Sequence, residues 1–208
     1  MLHTLTSLFI IIATSLFFSS SVKAELQAID IYSVKQLSEL IKKNEYLQQV
    51  KRDDCQLVQD IEAKAEVLKE PLYQFLWGEM LNTGTCIKAD KKRGMTLVLD
   101  SANQGSNGAM YRLARYYDEG DLVIENKDRA IQYALPAAAG EYVPAQMMLV
   151  RLFIEGHGSP FDYEMSYRLL YHNTFDDNVT KNKAEKLLRQ LAKKMPQSVV
   201  ERAQRGKY

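Results

Sequence analysis

The sequence predicts an all-helical protein, a right-handed α-solenoid of stacked helix pairs closed by helical caps at both ends. Three observations predict it. Glycines recur 36 residues apart, at Gly84, Gly120 and Gly156. Apolar and small residues recur at the same step: Phe75, Tyr111 and Met147; Leu81, Tyr117 and Phe153; Gly94, Ala130 and Ser166; Ala109 and Ala145; Leu113 and Leu149. With only 10 glycines and 5 prolines in 208 residues, there is little material for long linkers between the helical segments. Repetition of residue character at one offset is the signature of a stacked array, because one helix pair cannot bury its own apolar face.

The first 24 residues stand apart. Residues 8–18 are apolar except Thr14 and Ser15, and Val22-Lys23-Ala24 follows a serine run. An apolar stretch of this length is short of the roughly 20 residues that span a bilayer, and small residues at the last and third-last positions suit signal peptidase. The expectation is a signal peptide over 1–24. Its removal leaves 26 bases and 26 acids. A neutral chain lacks the basic excess that nucleic acid binding requires.

Residues 25–70 read as an N-terminal helical cap. Ser33 to Gln36 is a capping-box pattern, and Val34, Leu37, Leu40, Ile41, Tyr46 and Leu47 follow with helical spacing. A second helix of about 15 residues is expected to open at Asp54-Cys55, with Leu57, Val58, Ile61, Ala65 and Leu68 on one side. Residues 71–174 hold about three repeats, the third degenerate. Each has a first helix ended by a C-cap glycine and a second opened by Asp90, Asn126 or Asp162. The second helices are expected at 91–103, 127–139 and 163–172. Pro136 falls inside one of them, where it removes a donor. Residues 175–208 form basic C-terminal helices. Between Lys181 and Lys207 nine bases face only Glu185 and Glu201, which reads first as a solvated helix face.

Cys55 and Cys86 are the two cysteines. An even pair behind an export signal reads as a disulfide, which would fasten the cap to the first repeat loop. The other reading is two buried thiols. Closing this loop is expected to add roughly 3–4 kcal/mol in the chain-entropy view.

The middle unit resembles the Sel1-like repeat, at Ala109, Leu113-Ala114, Tyr117, Gly120, Asp128, Ala130, Tyr133, Ala137-Ala138 and Gly140. The third unit keeps Gly156-His157-Gly158 and Asp162 but lacks the terminal alanines; the first has Cys86 in place of the second loop glycine. Further wording is similar to a narrower family within that group, the accessory proteins of the sodium-driven polar flagellar motor. It comprises residues 55–63, Gly78 to Leu81 with Cys86, Gly158-Ser159-Pro160, Asp162-Tyr163-Glu164, Tyr167-Arg168 and Leu170-Tyr171-His172. That resemblance implies a periplasmic, non-enzymatic component of the flagellar basal body. It would form a ring with a MotY-like protein and hold stator units through the periplasmic part of a PomB-like subunit.

The residues themselves offer no nucleophile constellation. His157 and His172 lie 15 apart without matching carboxylate spacing, a poor metal set. Asp53-Asp54 and Asp176-Asp177 read as caps and loops. No cofactor and no small-molecule substrate are expected. Two other functions remain open at this point: an adaptor of another envelope assembly, or an enzyme of the cysteine-rich Sel1 type discussed as penicillin-binding. The latter carries a cysteine pair in every repeat, whereas this chain has one pair overall.

Overall fold

A computed structural model describes residues 31–206; the expected signal peptide, residues 1–24, lies outside them. Among the described residues there are eleven α-helices, one short 3-10 turn (Pro160–Asp162) and no strand. No helix there is long and apolar enough to cross a membrane. The three repeats are the pairs α4 (Pro71–Thr83) and α5 (Lys91–Asn103), α6 (Asn107–Glu119) and α7 (Lys127–Ala139), and α8 (Val143–Glu155) and α9 (Tyr163–Tyr171). Before them come α1 (Val34–Lys42), α2 (Tyr46–Arg52) and α3 (Val58–Glu66); after them come α10 (Asn178–Ala192) and α11 (Gln197–Arg205). Each repeat helix packs on the next, α3 packs on α4 and α2 on α1 and α4, and the stack continues with α10 on α8 and α9 and α11 on α9.

The repeat offset has a steric cause. Gly84, Gly120 and Gly156 cap α4, α6 and α8 at φ +70, +69 and +94, a left-handed conformation that glycine adopts without a Cβ penalty. In the first pair the helices cross at Gly78 on Gly94, and the equivalent residues of the second pair, Ala114 and Ala130, are also small and fully buried. A Cβ on Gly78 would stand 2.8 Å from the Gly94 carbonyl oxygen. Asp90 and Asn126 cap α5 and α7 by accepting from the N–H groups of Arg93 and Arg129. Asp162 makes no such bond; Ser159 caps the 3-10 turn instead. Pro136 is accommodated in the last turn of α7, which runs unbroken to Ala139.

The cap departs from its expected outline in two places. The apolar run from Val34 to Leu47 is two helices, broken at Asn44 with φ +58. No helix opens at Asp54-Cys55 either: these residues take φ +51 and +59, which a right-handed helix excludes, and α3 starts at Val58. Leu68 therefore lies beyond the helix end and is exposed. Lys64 takes its place on the buried side, its amine 4.8 Å from the centre of the Tyr73 ring and 3.5 Å from Glu70. Tyr32 ties the chain before α1 to the same region, donating to Asp53 while its backbone oxygen accepts from the Tyr73 hydroxyl.

Cys55, in the turn before α3, is joined by a disulfide to Cys86 in the α4–α5 loop. The two Cα atoms are 5.6 Å apart. At nine residues, α3 is too short to persist alone in water, so it depends on packing and on this link. Replacing Cys86 with Ser is expected to cost about 2–4 kcal/mol and to lower the amount of folded protein. The Cys55 and double replacements should match it. Equilibrium denaturation of the oxidised chain and its variants measures this; a Cys86→Ser protein as stable as the parent would dissociate the bond from cap stability.

Candidate interaction surface

The first helices of the pairs, α4, α6 and α8, continue into α10 and line one face of the stack. Equivalent positions 36 residues apart therefore line up along it. In the first unit Phe75 is covered: the Tyr46 ring of α2 meets it edge-on at 5.0 Å between centroids. In the next two units the equivalent residues, Tyr111 and Met147, open into a groove of about 560 Å³. The groove spans α6, α8 and α10, with Arg115, Arg151, Lys183 and Leu187 among its other walls. The N-terminal helices thus fill one end of the face and leave the other end open.

The charges of the groove repeat as well. Arg115 donates to Glu119 at 2.8 and 3.1 Å, and Arg151, one repeat later, pairs with Glu155 at 2.7 Å. Arg151 also reaches Asp118, which accepts from Lys127 at 3.0 Å. Burial works against the charge of Arg151, but Glu155 and Asp118 hold its pKa above the ordinary arginine value. Tyr111 packs on Tyr142 at 5.5 Å, and burial raises its hydroxyl pKa despite the nearby arginines. The result is an apolar floor bordered by ion pairs.

The wall between the filled and open ends is held by a buried carboxylate. Glu79 of α4 is 1% exposed. It accepts from the Tyr46 hydroxyl at 2.9 Å, from Arg112 Nε at 3.0 Å, from Asn82 at 3.2 Å and from the Tyr116 hydroxyl. Arg112 also donates to Asn44 at 2.6 Å and to the Tyr46 hydroxyl, and lies over the Tyr46 and Tyr116 rings. Burial opposes the guanidinium charge, yet Glu79 and the two tyrosines keep its pKa above normal. One network therefore joins the cap (Asn44, Tyr46), the first pair (Glu79, Asn82) and the second pair (Arg112, Tyr116). In the sequence Glu79 stands within the Gly78 to Leu81 stretch of the family resemblance with no role assigned to it, and Arg112 carries no signal of its own. The groove arginines and glutamates carried a signal, the same 36-residue step.

The remaining residues named from sequence stay apart. His157 is in the α8–α9 loop, while His172 ends α9 with Nε2 3.1 Å from the Ala203 carbonyl oxygen. Among the described residues no cluster of His, Cys, Asp or Glu is placed to hold a metal ion. Asp177 caps α10 through the Thr180 N–H, and Asp53 accepts from Tyr32 and Gln49. Ala109 and Ala145 are fully buried at helix contacts.

Removing the carboxylate leaves a largely buried cation. Glu79→Ala is expected to destabilise the fold by about 3–5 kcal/mol, the penalty of an unpaired interior charge. Burial, then Glu79, raises the Tyr46 and Tyr116 hydroxyls well above their ordinary value of 10.0. The folded state thus holds these protons more tightly than the unfolded one. Their contribution is fully present below about pH 10 and is lost as pH rises above it. Thermal unfolding between about pH 9 and pH 11 should show a falling midpoint, with a shallower fall in Glu79→Gln.

The sequence matches no established family profile. Among solved structures, a Sel1 repeat protein from Oxalobacter formigenes aligns with a TM-score of 0.49 and 20% identity, over 73% of this chain and 52% of that one. A protective antigen of uropathogenic Escherichia coli displaying an SLR fold gives a TM-score of 0.49 and 18% identity, over 79% of this chain and 38% of that one. This chain spans about half or less of those two. It is 36% identical over 177 residues to the sodium-type polar flagellar protein MotX of Vibrio parahaemolyticus serotype O3:K6 (strain RIMD 2210633), covering 85% of this chain and 84% of that protein. With more than a third of the residues shared over nearly the full length of both, the chain belongs to the MotX family.

Proposed function

We propose that this protein is a non-enzymatic component of a sodium-type polar flagellar motor, exported to the periplasm and built into the basal body. The observation that carries this reading is the similarity to MotX along 177 residues, a span that takes in both the cap and the repeats. The mature protein would begin at Glu25. It would comprise the cap to residue 70, the repeats from 71 to 174 and the basic helices beyond. With a MotY-like partner it would form a ring, and through the periplasmic part of a PomB-like subunit it would hold stator units where their ion flux yields torque.

The groove across α6, α8 and α10 is the surface on which this reading places a partner. Its floor is apolar at Tyr111 and Met147, its borders are the ion pairs of Arg115 and Arg151, and none of the described residues fills it. Such a scaffold needs no chemistry, only a fixed shape and enough buried apolar area to outweigh the ordering of a partner segment. An adaptor of another envelope assembly would use the same surface, so partner identity separates the two readings.

The test is retention of MotY-like and PomB-like proteins by the purified, oxidised chain. Both are expected to be retained, and Tyr111→Ala together with Met147→Ala should weaken binding by about tenfold or more, as loss of central apolar anchors does. Deleting the gene should abolish sodium-dependent swimming while filaments still assemble. If neither partner is retained and swimming persists, the motor reading fails and the adaptor reading replaces it.

A further inference from the structure

The α6–α7 loop carries a side chain that the fold does not use. Leu122 and Val123 turn inward and pack against the N-terminal core, and Leu122 takes φ +62 to do so. Ile124, the next residue, is 91% exposed. Asp121 and Glu125 flank it, both exposed. Asp121 meets no cation among the described residues; Glu125 lies 3.2 Å from Lys127. The loop is therefore an acidic turn with one aliphatic knob at its tip. An isolated exposed leucine or isoleucine is ordinary, and needs a matching surface before it means anything.

A matching surface lies between α9, α10 and α11. A cleft of about 620 Å³ is walled by Tyr167, Tyr171, Phe175 and Leu188, and Lys181 and Arg189 stand beside these apolar walls. Tyr167 and Tyr171 stack at 5.8 Å, and Gln204 fixes the Tyr167 hydroxyl by donating to it at 2.8 Å. Tyr171 is 44% exposed. The cleft holds one carboxylate, Glu185, 3.6 Å from Arg189. Lys181, and beyond the cleft Lys186, Lys193 and Lys194, form no ion pair among the described residues, so the helix presents a net positive wall. Aromatic and aliphatic sides with cations alongside fit an acidic segment bearing one apolar residue.

The chain itself supplies that segment. We propose that the two surfaces are halves of one contact, the loop at residues 120–126 of one copy seating Ile124 in the α9–α11 cleft of a second copy, with Asp121 and Glu125 against Lys181 and Arg189. Charge supports a second copy at both scales. Residues 175–208 carry nine bases and four acids, net +5, while residues 25–174 carry 17 bases and 22 acids, net −5. Electropositive end against electronegative body is the orientation that Coulomb steering favours between identical chains. The geometry permits it as well. The loop follows the first helix of a pair, whereas the cleft is bordered by the 172–177 connection that follows a second helix, so the two lie on opposite edges of the stack. Surfaces that differ and face apart make a heterologous contact, which continues from copy to copy and closes into a ring or runs on as a filament. The proposal does not depend on the motor reading.

Light scattering and sedimentation of the purified, oxidised chain test it. The mass is expected to rise with concentration up to about 0.5 mM, the range of weak specific association, and to fall back when salt screens the charges. Ile124→Asp should weaken association at least tenfold, and so should the pair Lys181→Glu with Arg189→Glu. All three sites are exposed, so circular dichroism of each variant should match the parent. An equimolar mixture of the two variants keeps one intact loop and one intact cleft, and should form a dimer that grows no further. A parent chain that stays monomeric throughout would overturn the proposal. So would an Ile124→Asp variant that assembles like the parent, or a mixture that stays monomeric.

Discussion

The carboxylate of Glu79 is the point on which the rest of the structure depends. It sits where α2, α4 and α6 converge, and it accepts from a donor on each: the Tyr46 hydroxyl, the Asn82 amide, and Arg112 with Tyr116. A carboxylate this deep is tolerated only because all of its acceptor capacity is used and a guanidinium lies against it. In a repeat array each unit ordinarily touches only its neighbours, so stability spreads along the stack. Here one ionic network spans cap, first pair and second pair, and couples segments that the repeat architecture alone would leave independent.

That coupling decides which part of the face lined by α4, α6, α8 and α10 is left open. Tyr46 is held against Phe75 by the same hydroxyl that donates to Glu79, so α2 cannot leave the first unit without costing the buried carboxylate one of its donors. The disulfide of Cys55 and Cys86 fastens the next segment to the same unit from the loop side. The open groove thus begins at Tyr111 because the chain has occupied the preceding position with its own tyrosine. The open groove therefore has its length set by the cap and its borders set by Arg115 and Arg151.

The sequence shows the array more clearly than the cap, for a physical reason. Within the array, spacing reports sterics directly. Gly84, Gly120 and Gly156 are left-handed caps, and α5 and α7 run over the residues that periodicity indicates, 91–103 and 127–139. In the cap, Asn44, Asp54 and Cys55 take positive φ without being glycine, imposed by packing and the disulfide, and apolar spacing carries no trace of that. Arg115 and Arg151 with Glu119 and Glu155 were legible at the 36-residue step, but a comparison that follows apolar residues passes over charged ones. The pairing of Glu79 with Arg112 is tertiary, and so is the filling of the first groove position by Tyr46. Neither has a local signature.

Lys42 at the end of α1 lies 2.8 Å from Asp176 in the connection before α10, 134 residues further along the chain. Alongside it, the Tyr142 hydroxyl contacts the Ile41 carbonyl oxygen, and Ile41 packs where Gly108 has no side chain. A solenoid without such a contact behaves as an open spring, each unit free to rotate slightly on the next. Here the end of the first helix is bridged to the connection before α10. The bridge is weak, because the carboxyl side is 80% exposed and an ion pair in water contributes at most about 1 kcal/mol. Losing that one ion pair therefore costs little, while the Glu79 network and the disulfide still tie the cap to the first two pairs.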